Sequence, residues 1–96
     1  MLQGMLMTAI VRIPKDGLES FLAYEDHVIP LQAEHGAVLE RRVRSGDGTT
    51  EVHLVRFPSQ AAVDAYMDDP RRHDHRDLFE ASGAVMEVLV VDDVSG

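Results

Sequence analysis

Residues 37–57 read AVLERRVRSGDGTTEVHLVRF, and the fold follows from this stretch. Two runs rich in apolar and β-branched residues, Ala37 to Arg44 and Thr49 to Phe57, flank Ser45-Gly46-Asp47-Gly48. Those glycines supply the positive φ that a tight hairpin needs, so an antiparallel pair is predicted at the centre of the chain. Upstream, Leu18, Phe21, Leu22, Val28 and Ile29 recur at helical spacing. They predict a helix to about Glu34, stopped by His35-Gly36 and kinked or briefly broken near Asp26-His27 because Pro30 lies inside it. Before the helix, Met5 to Ile13 (MLMTAIVRI) reads as a first strand between Gly4 and the turn-forming Pro14-Lys15-Asp16-Gly17. Downstream, Phe57-Pro58-Ser59 ends a strand and caps a helix whose inner face is expected at Ala62, Ala65 and Tyr66. Asp69-Pro70 then starts a further helical turn or two through Phe79, and Ala84 to Val91 forms the last strand.

The predicted order is βαββαβ. This is an α+β, ferredoxin-like arrangement with a four-stranded antiparallel sheet and two helices on one face, spanning residues 1–96 as a single domain. If Arg44 pairs with Thr49, alternation puts Val38, Glu40, Arg42, Glu51, His53, Val55 and Phe57 on one side of the hairpin. Leu39, Arg41, Val43, Thr50, Val52, Leu54 and Arg56 then take the other side. In the first and last strands, Met5, Met7, Val11, Val85, Leu89 and Val91 are set against Leu6, Ile10, Met86, Val88 and Val90, so both faces are apolar there. Two helices cover only one side of a sheet. The other apolar side is expected to be closed by a second copy of the chain, giving a homodimer through the sheet face.

Composition narrows the partners. Hydrophobic residues are 45% and charged residues 27% of the 96, as in a globular domain, and seventeen acidic against nine basic residues give a net charge of −8. That charge repels phosphate backbones and anionic lipid, so neither nucleic acid nor membrane is expected as a partner. The absence of cysteine removes disulfides and thiolate nucleophiles. Met1-Leu2-Gln3-Gly4 lacks the basic flank of a signal peptide, and Arg12 and Pro14 interrupt the following apolar run, so a cytoplasmic location is expected.

The segments FLAYEDHVIPLQAEHGAVLERRV (residues 21–43) and EVHLVRFPSQAAVDAYMDDPRR (residues 51–72) resemble the dimeric α+β barrel superfamily. The likeness is to its small uncharacterised members and to relatives of the antibiotic-biosynthesis monooxygenases and NIPSNAP proteins. It is carried by Tyr24-Glu25, Pro30, His35-Gly36, Phe57-Pro58-Ser59 and Asp69-Pro70. The resemblance implies two sheets packed face to face as a barrel, with a small-molecule pocket between each sheet and its helices. It does not transfer an activity, because members include oxygenases that use no metal or flavin, haem-handling proteins, isomerases and dehalogenase-like proteins.

The residues themselves suggest acid/base chemistry. On the expected register Glu40 faces His53 and Arg42 faces Glu51. A carboxylate beside an imidazole orients one tautomer and raises its basicity, as a proton-abstracting site requires, although opposite charges across strands also serve simply to stabilise sheets. Glu25 projects among Phe21, Leu22, Val28 and Ile29, where a carboxylate must find a cation or a proton. Arg42, Tyr66 and His75 complete the candidate ligand-binding set around the catalytic pair His53 and Glu40. His73 and His75 point about 200° apart on a helix, and His27 and His35 have no ligand spacing, so no metal site is expected. Five aromatic residues without tryptophan make a thin platform for haem or flavin, and no cofactor is expected. The sequence also lacks a phosphate loop and a serine elbow. Two readings stay open: a small-molecule pocket protein acting as a cofactor-independent enzyme of oxygenase or isomerase type, and a non-catalytic structural, stress-type or accessory dimer with a filled interior. An interior cavity above about 300 Å³ would separate them.

Overall fold

A computed structural model describes residues 4–94. Strand β1 (Met5–Arg12) is followed by helix α1 (Leu18–Glu34), then β2 (Val38–Arg44) and β3 (Thr50–Phe57). Three short helices follow, α2 (Gln60–Met67), α3 (Pro70–His73) and α4 (Arg76–Ser82), before β4 (Val85–Val91). The strands form one sheet in the order β2-β3-β1-β4, with every neighbouring pair antiparallel. This is the expected ferredoxin-like α+β arrangement. Among the described residues no helix is long and apolar enough to cross a membrane.

The helix signals act largely as predicted. Gly36 at φ +85° ends α1, Ser59 Oγ accepts from the Ala62 amide at 3.1 Å, and Asp69 Oδ1 accepts from the Arg71 amide at 2.9 Å. Helix α1 runs through Pro30 without a break. Pro30 and Asp26, whose carbonyl loses its donor to the proline, are both exposed, so water can satisfy the freed oxygen. On α2 the buried residues are Val63 and Tyr66, three apart, whereas Ala65 is exposed. The expected extension to Phe79 splits instead at Asp74 and His75 into α3 and α4.

Two register differences matter more. Asp47 Oδ1 accepts from Ser45 Oγ at 2.7 Å and from the amide and hydroxyl of Thr49 at 3.0 and 2.8 Å, which draws Thr49 into the hairpin loop. Arg44 therefore pairs with Glu51 rather than Thr49, and Arg42 with His53. A bulge then falls between Leu39 and Arg41. It turns Glu40 to the open side, where its Oε2 accepts from Arg56 Nε at 2.7 Å, and turns Leu39 inward against Val55. The expected Glu40–His53 pairing is thus replaced: the shift at the loop puts Arg42 opposite His53, and the extra residue of the bulge then reverses the alternation at Glu40. Across β1 and β4 the faces are also exchanged: Val85, Leu89 and Val91 pair with Arg12, Thr8 and Leu6 on the open side, and Met86, Val88 and Val90 lie on the helix side. Alternation cannot set the register of a strand that is apolar on both faces.

The helix side of the sheet holds two apolar clusters. Leu31, Val55, Phe57, Val63 and Tyr66 form one, and Val11, Ile13, Phe21 and Ala84 form the other. Along that same face of β3, the residues preceding Val55 and Phe57 are His53 and Glu51.

Candidate functional site

Period-two geometry places Glu51 and His53 side by side on the covered face of β3, and α1 lays Glu25 over them. All three are buried, at 0%, 3% and 3% exposure. Burial pushes the Glu51 carboxyl up, but hydrogen bonds from His53, Arg44 and Arg42 outweigh it and hold the group below the usual carboxylate range. Arg42 Nε donates to Glu51 Oε2 at 3.1 Å and Arg44 Nε to Oε1 at 2.7 Å, both arginines reaching in from the rim of the sheet. Ionised Glu51 can only accept, so the proton in its 2.5 Å contact with His53 belongs to Nε2. In neutral His53 the Nδ1 lone pair is then bare. It faces Glu25 Oε2 at 3.9 Å, too far for a direct hydrogen bond and near enough for both groups to reach one substrate atom.

Glu25 has the opposite electrostatics. Burial, reinforced by the Glu51 charge and opposed by Arg42, pushes it up to about 7. Near neutral pH it exchanges its proton readily, while Glu51 stays ionised and fixes the His53 tautomer. Two carboxylates with separated proton affinities on either side of an imidazole make a competent acid/base arrangement.

Glu25 and His53 line a cavity of about 130 Å³ between sheet and helices, and Glu51 lies behind His53, outside the wall. Most of its wall is apolar, including Met7, Val28, Val55, Phe57 and Val63, with Tyr24, Gln32, Tyr66 and Arg72 as further polar members. Gln32 Nε2 donates to the Tyr66 hydroxyl at 3.3 Å. Tyr24, Arg72, Met86 and Val88 also wall a second recess of about 270 Å³. The inner space is on the scale of a cavity that admits a benzene-sized ring.

Of the residues singled out in the sequence, His53, Glu25 and Tyr66 meet at this cavity, and Arg42 stands behind it on Glu51. Glu40 is on the other face of the sheet with Arg56. His75 lies outside the cavity wall, its ring stacked on His27 with centroids 3.7 Å apart. Glu51 takes the role expected of Glu40. The Glu-x-His pattern in β3 carried that signal, because residues two apart on a strand share a face whatever the cross-strand register. Tyr24 and Arg72 were missed, since only the fold brings them to the cavity, and so was Arg44, which the register of β2 against β3 brings to Glu51.

Glu25, Glu51 and His53 also bring ligand-type atoms within 4.8 Å of one another. Glu51, however, is already engaged by two guanidinium groups and His53. That leaves two free donors, one short of the three protein ligands of a catalytic zinc site.

No family model matches the sequence, and no curated protein matches it. Solved structures do match the fold. SnoaB, a cofactor-independent oxygenase from Streptomyces nogalater, aligns with TM-score 0.80 at 12% identity over 99% of this chain and 97% of its own. An antibiotic biosynthesis monooxygenase, so assigned provisionally, from Nitrosomonas europaea aligns with TM-score 0.74 at 13% identity over 95% and 100%. Rv0793 from Mycobacterium tuberculosis aligns with TM-score 0.71 at 18% identity over 97% and 98%. Identities this low carry the architecture rather than the chemistry, and by architecture this chain shares the ferredoxin-like α+β fold of the antibiotic biosynthesis monooxygenase-type structures.

Proposed function

We propose that the chain is a homodimeric pocket protein acting as a cofactor-independent enzyme on a small organic metabolite, by acid/base chemistry of the oxygenase or isomerase type. The observation that carries this reading is the buried line Glu25–His53–Glu51 at an apolar cavity. His53 Nδ1 removes a proton from an activated C–H or O–H of the substrate, Glu51 stabilises the imidazolium that forms, and Glu25 returns or relays a proton. In the isomerase form the proton returns at another atom. In the oxygenase form the resulting carbanion gives an electron to dioxygen, the co-reactant, and the radical pair joins as a C–O–O⁻ peroxide; protonated by Glu25, the hydroperoxide loses water with the remaining hydrogen of that carbon and leaves a carbonyl. The description of SnoaB as a cofactor-independent oxygenase favours the second form.

The dimer is supported by the open face of the sheet and by β4, an edge strand exposed on both sides. Val85, Leu89 and Val43 are 69%, 45% and 43% exposed on the open face, and Val88 and Val90 are 50% and 60% exposed on the other. Such a surface is a docking face or an aggregation hazard.

The size of the cavity favours a second reading. At about 130 Å³ it is below the usual 300 Å³ or more of ligand pockets, as a dimer with a filled interior would have. One experiment separates the two: proton exchange into deuterated water, and dioxygen uptake, across a panel of small phenols and 1,3-dicarbonyl compounds. In the enzyme, His53→Gln lowers both rates by about a hundredfold or more. Glu51→Gln follows it through loss of the tautomer. Rates unchanged in both variants would remove the line from catalysis, and absence of exchange and uptake across the panel would favour the filled dimer.

A further inference from the structure

The recess beside the cavity has an unusual charge arrangement. Its wall includes Arg72, His73 and Arg76 with Tyr24 and Phe79. Arg72 lies on α3 and Arg76 opens α4, and the turn at Asp74 and His75 between them lets both side chains wall the same recess. Of the nine basic side chains, Arg42, Arg44, Arg56 and Arg71 find carboxylates, whereas among the described residues Arg12, Lys15 and Arg41, which lie outside the recess, do not. Among the described residues Arg72 and Arg76 pair with none. Arg72 instead donates to the Met67 carbonyl at 3.3 Å and lies 5.7 Å from the centre of the Tyr66 ring, while Arg76 reaches His73 Nδ1 at 3.2 Å.

Tyr24 supplies an independent observation. Its side chain is 8% exposed, and its ring packs on Phe79 with centroids 5.1 Å apart. Its hydroxyl has no hydrogen-bond partner among the described residues. Every fully enclosed side-chain polar atom there does have one, so this hydroxyl keeps some accessible surface, and Tyr24 lines both the cavity and the recess. Burial raises its proton affinity, the neighbouring Tyr66 adds to that, and the charges of Arg72 and Arg76 oppose it, which places both guanidinium groups in the field of the same hydroxyl. A phenol donor and two uncompensated cations converge on a wall shared with the apolar cavity.

We propose that Tyr24, Arg72 and Arg76 form an anion-holding subsite at the mouth of the cavity, and that the substrate class is a small organic acid. Its carboxylate stays in the recess while its apolar body, about one ring in size, reaches toward Glu25 and His53. The inference rests on the proposed reading of the cavity as a substrate site. The chemistry suits the surroundings: a chain of net charge −8 repels anions at long range, so an acid is captured only by local, charge-assisted donors. Carboxylate held at the mouth would also set which carbon faces His53.

The test is equilibrium binding of benzoate and of benzamide, its neutral isostere, followed by NMR of the whole protein. The expected result is a preference of about tenfold for benzoate, falling to about twofold or less in Arg76→Gln and in Arg72→Gln. Arg76 is exposed, so its variant folds even if Arg72→Gln does not. Equal affinities, no binding of benzoate at millimolar concentration, or a preference that survives both substitutions would overturn the subsite. So would conversion of Arg76→Gln to a monomer in sedimentation, which would make the arginines interface residues. The His53 ring resonances report separately on the pocket. A benzoate preference without their movement upholds the subsite and removes the acid/base reading, whereas equal movement with both probes upholds the pocket and removes the subsite.

Discussion

Each face of the sheet departs in part from the usual order of a small domain. The face covered by helices buries two carboxylates and an imidazole, whereas the face without helices presents Leu6, Ile10, Val43, Val52, Leu54 and Leu89. Charge is ordinarily outside and aliphatic surface inside. The covered face keeps one carboxyl, Glu25, pushed up to about 7, and the open face keeps the apolar surface that the proposed dimer would cover.

The largest expected effect lies on the open face. The proposed dimer sediments at twice the 10.7 kDa of the chain, and Leu89→Asp, which puts a carboxylate at the apolar surface, raises its dissociation constant by about a hundredfold or more. A wild-type chain that sediments as a monomer at micromolar concentration would end the argument from the open face. A smaller effect is expected on the covered face. The folded-state value of Glu25, about 7, lies above its ordinary 4.5, so the native chain holds this proton more tightly than the unfolded chain. The associated stability is fully present below pH 4.5 and is lost as the pH rises through 7. Glu25→Gln keeps the shape and removes the titration. In denaturant melts it matches the wild type near pH 4 and exceeds it by about 2 kcal/mol above pH 7. A pH-independent difference would mean that Glu25 is not desolvated as its burial implies. The smallest effect sharpens the boundary between faces: Glu40→Ala changes the stability of the dissociated chain by less than about 0.5 kcal/mol, as for an exposed ion pair. It leaves the His53 resonances in place, and their displacement would return Glu40 to the site.

Much of the architecture was legible from local signals. Gly36 stops α1 because its φ of +85° suits glycine, and Ser59 and Asp69 cap their helices through side-chain oxygens that need no distant partner. The site was legible in part. Glu25 stood out as a carboxylate on an apolar helix face, and His53 as an imidazole on a covered strand face. The choice of Glu40 over Glu51 failed first at the hairpin loop, where Thr49 joins the turn and Arg42 comes opposite His53, and then at the bulge between Leu39 and Arg41, where one extra residue reverses the alternation.

The sequence by itself determined the order of elements, the hairpin, the helix ends and the presence of titratable groups on faces that should be apolar, because each depends on residues within about one or two turns of each other. The tertiary structure alone decided that Glu40 leaves the covered face, which face of β4 meets the helices, and that Tyr24, Arg72 and Arg76 share a wall. Those outcomes depend on strand register and on helix packing between residues distant in sequence, and a one-residue slip in register leaves the local pattern unchanged while exchanging every contact.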